Sequence, residues 1–115
     1  MSRESMISRF GGNEELVDQL VELFVAECPR MLEEVRLSIE SGSADALRQA
    51  AHSFKGCVGN FDHPGAVDAA RALETMGRDN DIGDAVVGYI RLEQEVQELL
   101  EEMQKHYSRT GTCAC

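Results

Sequence analysis

The stretch from Ala46 to Phe61, ALRQAAHSFKGCVGNF, carries apolar residues at the spacing of a single helix face. Positions three and four residues apart share one face of an α-helix. The apolar face consists of Leu47, Ala50, Ala51, Phe54, Val58 and Phe61. His52 falls on the other side of the same helix, so we expect its imidazole to be partly exposed.

The same spacing recurs along the chain and predicts an all-α protein. Four amphipathic segments with short connections favour an antiparallel up-down-up-down four-helix bundle, with a short extra N-terminal helix. Asn13 is predicted to cap the second helix, Gly42 to end it and Ser43 to open the third. Pro29 should kink the second helix rather than end it, because the apolar pattern continues beyond it. Pro64 fits the first turn of the fourth helix.

The remaining apolar faces follow from the same periodicity. The short N-terminal helix is predicted to use Met6, Ile7 and Phe10. The second helix is predicted to bury Leu16, Leu20, Leu23, Phe24, Met31, Leu32, Val35 and Ile39. The fourth is marked by Val67, Ala70, Leu73 and either Met76 or Gly77. The last is predicted to use Ile82, Val86, Tyr89, Ile90, Leu92, Val96, Leu99, Leu100, Met103 and Tyr107. We therefore expect one bundle domain over residues 1–107 and a flexible tail over 108–115.

Composition limits the classes of partner. The chain has 115 residues, with 21 acidic against 11 basic side chains and a net charge of −10. Such a field repels nucleic acid and anionic membranes. The sequence contains neither a membrane-spanning apolar run nor the apolar stretch of a signal peptide, so we expect a cytoplasmic protein.

The four cysteines do not form a disulfide framework. Cys28 and Cys57 fall within helical patterns, whereas Cys113 and Cys115 lie in the polar tail. Free thiols are expected in a reducing compartment. Two thiols two residues apart do not make a four-ligand metal site, so we predict an inert tail.

The face around His52 contains unusual residues for a helix. A glycine in a helix interior costs about 1 kcal/mol relative to alanine, and this face carries both Gly56 and Gly59. Most exposed histidines have no special role, but these two glycines leave room for a large partner to approach. A neutral imidazole is a good nucleophile near neutral pH and can take a phosphoryl group on Nε2, whose charge Lys55 would screen. The chain has no phosphate-binding glycine loop, no paired-carboxylate metal site and no nucleotide fingerprint. It can thus hold a phosphoryl group without evident means of taking one from ATP.

The run from Ala50 to Glu74, AAHSFKGCVGNFDHPGAVDAARALE, resembles the histidine-containing phosphotransfer (HPt) domain of multistep phosphorelays. The family pattern is close to H-x-L-K-G-[small]-[small]-x-N-L-G, followed about twenty residues later by a Leu-Glu pair. The matching residues are His52, Lys55, Gly56, Cys57, Val58, Asn60, Leu73 and Glu74, with Phe54 and Phe61 in the leucine places. The upstream segment, including the proline in the long helix, is also similar to this family.

The resemblance implies a phosphocarrier rather than an enzyme. Its exposed histidine would shuttle phosphoryl groups between receiver-domain aspartates, with a hybrid histidine kinase and a response regulator as partners. Catalysis and Mg²⁺ would belong to the receiver, so the chain itself would need no cofactor. The carboxylate of Glu74 would accept a hydrogen bond from Nδ1 of His52. The predicted docking residues are Arg48, Gly56, Gly59 and Arg71, with Arg78 as a further candidate.

Several features leave alternatives open. Asp62 stands where the family usually has glycine, which puts the choice of partner in doubt. Because receivers are usually acidic too, we expect weak long-range attraction and dominant apolar contact. A docking module that never carries phosphate remains the main alternative.

Other assignments rank lower. The dimerisation helix pair of a histidine kinase normally has an acidic residue after its histidine and a proline five places on, where this chain has Ser53 and Cys57. His63 and His106 have no ligand partners at metal spacing, so we predict a turn residue, a helix end and no metal site. A bundle metalloprotein would also need a Glu-x-x-His motif, which does not occur. We expect a monomer.

Overall fold

Five α-helices and one short 3₁₀ turn make up residues 3–106, the part of the chain that the computed structural model describes. The helices are α1 (Arg3–Arg9), α2 (Glu14–Ser41), α3 (Ala44–Val58), α4 (Pro64–Arg78) and α5 (Ala85–His106), with the 3₁₀ turn at Gly59–Phe61. Residues 3–106 contain no strand. The predicted all-α class and helix order are confirmed, whereas Tyr107 and the tail over 108–115 lie outside the described residues.

The helix ends follow the predicted capping chemistry. The Asn13 side chain accepts a hydrogen bond from the backbone N–H of Leu16, and the Ser43 hydroxyl accepts one from Ala46. Gly42 ends α2 in the left-handed region, at φ 74°, where glycine has no steric penalty. α2 continues through Pro29, as predicted.

Four helices pack as antiparallel neighbours. Phe24 of α2 contacts the ring of Phe54 in α3 and the ring of Phe61 in the 3₁₀ turn. Each of α3, α4 and α5 packs against the helix before it, and α5 closes the bundle against α2. α1 contributes the fully buried Met6, as the sequence predicted.

The buried face of α2 differs from the predicted one. Leu16 and Leu23 are exposed, Leu23 by 60%, while Val17, Val21 and Cys28 are buried in their place. The buried face differs from the predicted one because apolar residues occupy two adjacent faces of this helix. Periodicity locates the apolar side, but packing against α3 and α5 selects the column that faces the core.

The first turns of α5 also depart from prediction. Val86 and Ile90 were expected to be buried and are instead exposed, together with Val87. Ala85 and Leu92 face the core there. Gly88 lies against Leu73 of α4, so α4 and α5 come close together at this glycine. The larger side chains beside it face the solvent.

Candidate functional site

His52 lies on the outer face of α3. The buried residues of this helix are Leu47, Ala51, Phe54 and Val58, four of the six predicted for the apolar stripe. Of the other two, Ala50 is half-buried and Phe61 is buried in the 3₁₀ turn after α3. His52 falls opposite this stripe, and its side chain is 65% exposed. The predicted exposure of the imidazole is confirmed.

Glu74 of α4 holds His52 and Lys55 with one carboxylate. Its Oε2 lies 2.8 Å from Nδ1 of His52, and its Oε1 lies 2.7 Å from Nζ of Lys55. The Glu74 side chain is only 16% exposed, while that of Lys55 is 29% exposed. The ammonium group of Lys55 lowers the pKa of Glu74 most, and the hydrogen bond with His52 lowers it further, although partial desolvation opposes both. Glu74 is therefore a carboxylate at neutral pH.

The charge state of Glu74 fixes the tautomer of the neutral imidazole. A carboxylate can only accept hydrogen bonds, so Nδ1 of His52 must be the donor. In a neutral ring, the lone pair then resides on Nε2, the nitrogen that Glu74 does not contact. The geometry thus leaves a nucleophilic atom on the exposed side chain.

Gly56 lies within α3 and Gly77 within α4, whereas Gly59, predicted to lie inside the histidine helix, instead caps α3 and begins the 3₁₀ turn. A Cβ added at Gly56 or Gly59 would have no heavy atom within 4 Å outside the immediate helix backbone. A Cβ at Gly77 would lie 2.6 Å from the carbonyl oxygen of Ala44 and 2.6 Å from the amide nitrogen of Arg48. Intramolecular packing therefore requires glycine at Gly77 but not at the two positions near His52.

An apolar groove runs between α2 and α3. It has a volume of about 470 Å³, and Leu20, Leu23, Ala50, Cys57 and Phe61 are among its lining residues. Ser53, the neighbour of His52, also lines it. Sequence reasoning missed this groove, because it predicts that Leu20 and Leu23 are both buried, whereas Leu20 is half-buried against the core and Leu23 is exposed. Their apolar character was visible in the sequence, but their place in the lining of a groove was not.

The predicted docking cations lie on α3 and α4, each beside a carboxylate. Arg48 pairs with Asp45, and Arg71 pairs with Asp68, in both cases one turn away on the same helix. Arg78 lies 3.6 Å from the carboxylate of Asp79. These exposed pairs are weak, so all three guanidinium groups remain available to a partner. Their roles in docking remain predictions.

The turn after α3 explains the glycine expected at Asp62. Asp62 has φ 51°, which is in the left-handed region that glycine adopts without strain. Aspartate tolerates this conformation better than most residues. The departure from the family pattern therefore keeps the backbone turn and adds an exposed carboxylate.

His63 is a buried helix cap as well as a turn residue. Its Nδ1 accepts the backbone N–H of Ala66 at the start of α4. Although sequence spacing offered no ligand partners, the fold brings Glu95 and Glu98 to the ring, with the candidate ligand atoms of all three residues within 4.8 Å of one another. Metal-bound histidines normally donate from the second nitrogen, which here accepts instead. A metal at Nε2 would therefore displace the cap of α4.

The chain matches the model of a known protein family. The family model described as the Hpt domain matches residues 19–106, which is most of the chain. The chain therefore belongs to the Hpt domain family, and membership implies a histidine phosphotransfer role in a phosphorelay. Neither a curated protein nor a solved structure gave a match. Within residues 3–106, no helix is both long and apolar enough to cross a membrane.

Proposed function

We propose that this chain is a phosphocarrier that accepts a phosphoryl group on Nε2 of His52 and passes it to a receiver domain. The observation that carries the proposal is the arrangement of His52 with Glu74. An exposed imidazole has one nitrogen bound to a carboxylate and the other free for attack. A solvated histidine would not need a partner whose side chain is only 16% exposed, whereas a nucleophile needs a fixed tautomer.

The transfer step is a displacement at phosphorus. The Nε2 lone pair of His52 forms the N–P bond, while the bond from phosphorus to the receiver's aspartyl oxygen breaks and returns that aspartate to a carboxylate. The imidazole gains positive charge as its lone pair is donated. The Nδ1–H bond to Glu74 stabilises that charge, and the reverse reaction restores the neutral ring.

Lys55 and the two open glycines complete the carrier site. The ammonium group of Lys55 already lies on the carboxylate that holds His52, so a short side-chain movement would bring it to the phosphate. Gly56 and Gly59 keep the approach to His52 free of side chains. The receiver would supply Mg²⁺ and catalysis, and the carrier would bring neither cofactor nor metal.

The apolar groove between α2 and α3 is the proposed contact for the body of the receiver. Ser53, which follows His52 in the sequence, lines this groove, and both helices contribute carbon-rich surface to it. Apolar burial contributes roughly 25 cal/mol per Å², so such a groove supplies affinity that exposed ion pairs do not. We propose a cytoplasmic monomer that meets a hybrid histidine kinase on one side of the relay and a response regulator on the other.

Phosphoryl transfer tests the proposal directly. Receiver domains from a panel would be phosphorylated with acetyl phosphate and Mg²⁺, then mixed with the wild-type chain, His52→Ala and the matched control His106→Ala. A phosphate-affinity gel should show an acid-labile, alkali-stable band for the wild type and the control only. Binding of a receiver without any transferred phosphate would instead establish a docking module. A band that persists in His52→Ala would show that another residue carries the phosphate.

A further inference from the structure

Two carboxylates of α5 lie beside the buried histidine that precedes α4. Glu95 and Glu98 are three residues apart, so they share one face of α5. Their candidate ligand oxygens and a ring nitrogen of His63 all lie within 4.8 Å of one another. The His63 side chain is only 7% exposed, and its Nε2 lies 3.9 Å from Oε1 of Glu98, beyond hydrogen-bond distance. Among residues 3–106, this nitrogen has no hydrogen-bond partner, and it faces the two carboxylates.

Gly65 leaves the space that Glu95 occupies. A Cβ at Gly65 would overlap Oε1 of Glu95, so any other residue there would force the carboxylate to move. Gly65 is the second residue of α4 and lies two positions after His63. The missing side chain therefore allows a carboxylate of α5 to lie on the first turn of α4, next to the imidazole.

The cluster has more negative charge than its neighbours offset. Within the part of the chain that the structure describes, neither Glu95 nor Glu98 pairs with a lysine or an arginine. The N-terminus of α4 is equivalent to roughly half a positive charge, against two carboxylates. A neutral imidazole adds no charge, so about one and a half negative charges are left for a cation to balance.

A divalent metal ion matches this charge better than a proton does. Nδ1 of His63 accepts the N–H of Ala66, so the neutral ring carries its proton on Nε2. Protonation of the ring and metal binding at Nε2 both place a proton on Nδ1, and each would break that cap. The imidazolium would balance one carboxylate, whereas a divalent ion would balance both. Loss of one side-chain cap weakens an equilibrium by only roughly fivefold, so the cap does not prevent metal binding.

We propose that His63, Glu95 and Glu98 form a binding site for a divalent transition metal, with Zn²⁺ as the ion that fits. Imidazole nitrogen and carboxylate oxygen are both ligands of Zn²⁺, and three protein ligands leave a fourth position for water. On binding, the Nε2 lone pair coordinates the ion. The proton of Nε2 moves through solvent to Nδ1, so the ring stays neutral.

The geometry needs only a small adjustment to hold the ion. Bonds of about 2.0–2.2 Å place the ligands of a tetrahedral zinc ion roughly 3.3–3.6 Å apart. The side chain of Glu98 is 66% exposed, so it is free to move towards Nε2 of His63 from its present distance of 3.9 Å. The ion would then connect the start of α4 to α5.

This metal site is separate from the histidine that carries phosphate. Glu74, the partner of His52, is ten residues beyond Pro64 on α4, which is about 15 Å along the helix. The ion would therefore be structural and would take no part in phosphoryl transfer. The proposal does not depend on the phosphocarrier function, and it revises the expectation that His63 has no ligand partners.

Competition between the protein and a chromophoric chelator measures the affinity for Zn²⁺. The full chain would carry Cys113→Ser and Cys115→Ser, so that the terminal thiols do not bind the ion. Co²⁺ in place of Zn²⁺ provides a spectrum in which thiolate ligands produce charge-transfer absorption. Such absorption at saturating Co²⁺ would show that the remaining cysteines hold the metal, and it would overturn the proposal.

Three variants each remove one ligand from this background. His63→Asn keeps a cap for α4, since asparagine is a favoured N-cap residue, whereas Glu95→Gln and Glu98→Gln remove one carboxylate each. The matched control is Glu101→Gln, which neutralises an exposed carboxylate of α5 outside the cluster. Loss of an outer-shell partner alone costs roughly 10–100-fold in metal affinity, so we expect each ligand variant to lose at least that much. The control should stay within about twofold of its parent.

Nuclear magnetic resonance of the ¹⁵N-labelled parent chain tests the site without a ligand variant, so it does not depend on how the variants fold. Without metal, we expect the ring proton of His63 on Nε2. Saturation with Zn²⁺ should move it to Nδ1 and shift the amide signal of Ala66, which loses its acceptor. An unchanged tautomer at saturation would overturn the proposal, as would equal zinc affinities of the parent and all three ligand variants.

Discussion

Nδ1 of His52 lies 2.8 Å from Oε2 of Glu74, on the helix packed beside its own. The other oxygen of the same carboxylate holds Lys55. A single, largely buried side chain thus determines both the proton position on the imidazole and the place of the nearest cation. Because the three residues come from two helices, the site depends on the packing of α3 against α4.

Glu74→Gln tests the positioning role of the carboxylate. The amide keeps the shape of the side chain but loses its charge, so it neither stabilises a cationic ring nor enforces one tautomer. A hydrogen bond to a charged group contributes about 1.5–3 kcal/mol, so we expect transfer to fall by at least roughly tenfold. The measurement is the single-turnover rate from a phosphorylated receiver across pH.

The control for this change is Glu101→Gln, which neutralises an exposed carboxylate on α5. It should leave the rate within about twofold of wild type, since it is far from α3 and α4. A full rate in Glu74→Gln, with an unaltered pH profile, would show that His52 needs no positioning carboxylate.

The pH dependence of stability provides a second test of Glu74. Its folded pKa is below the ordinary value of 4.5, so its contribution to stability is present above that value. The contribution is lost as pH falls through the lower folded pKa, because the acid must then be protonated. We therefore expect a difference in unfolding free energy between wild type and Glu74→Gln that is present at neutral pH and shrinks well below pH 4.5. Urea unfolding at several pH values measures it, and a difference that grows towards acid would contradict the assignment.

Gly56→Ala and Gly77→Ala should have opposite effects on stability. Alanine at Gly56 meets open space and improves helix propensity, so the free energy of unfolding should rise by about 1 kcal/mol. The same variant should transfer phosphate more slowly, because its methyl group projects into the approach to His52. Chemical denaturation and the transfer assay would be run on the same preparations.

Alanine at Gly77 meets the backbone of α3, which cannot move aside as a flexible side chain would. We expect a loss of roughly 1–3 kcal/mol, as for overpacked cores. If Gly56→Ala were stabilised and transferred phosphate at the wild-type rate, the open glycine would have no part in docking.

Asp62→Gly should stabilise the protein modestly. Relief of the left-handed conformation gains roughly 1–2 kcal/mol, and the greater freedom of glycine in the unfolded chain offsets roughly 0.4–1 kcal/mol. The midpoints of these two ranges leave an expected net gain of about 0.8 kcal/mol, measured by urea unfolding. Asp62→Asn separates charge from conformation, because it removes the carboxylate and keeps the strain. If Asp62→Asn raised the free energy of unfolding as much as Asp62→Gly, the cause would be the lost charge repulsion of the carboxylate and not relief of backbone strain.

Cys57 reports whether a partner covers the groove. It is partly exposed and lines the groove, whereas Cys28 is buried and its pKa is raised to about 11 by desolvation. In a background with Cys113→Ser and Cys115→Ser, we expect maleimide to label Cys57 slowly and Cys28 only on unfolding. A bound receiver should slow labelling of Cys57 several-fold. An unchanged labelling rate at saturating receiver would place the partner elsewhere.

Local sequence signals predicted the helix ends correctly where a residue type has one clear structural role. Asn13, Ser43 and Gly42 terminate helices because of a side-chain acceptor or a left-handed backbone, and the structure confirms all three. The exposed side of α3 was equally predictable, since its polar and apolar columns do not overlap. His63 was harder, because a buried cap depends on what α5 places around it.

The faces of α2 and α5 could not be predicted in the same way. On α2, the pairs Leu16 with Val17 and Leu20 with Val21 are adjacent and apolar, so the periodicity accommodates either column. The joint contact of Glu74 with His52 and Lys55 also required the structure, because it depends on rotamers across two helices. The sequence resemblance offered only the first half of that contact.

The close approach at Gly77 has a mechanical consequence for the carrier. The Cα of Gly77 lies against the backbone of α3, which leaves little space for the two helices to slide past each other. A slip of one turn would displace Glu74 along α3 by about 5.4 Å and break its hold on the imidazole. Gly77 has no side chain and takes no part in the chemistry. Its close packing nevertheless keeps Glu74 in register with His52 each time a partner binds and dissociates.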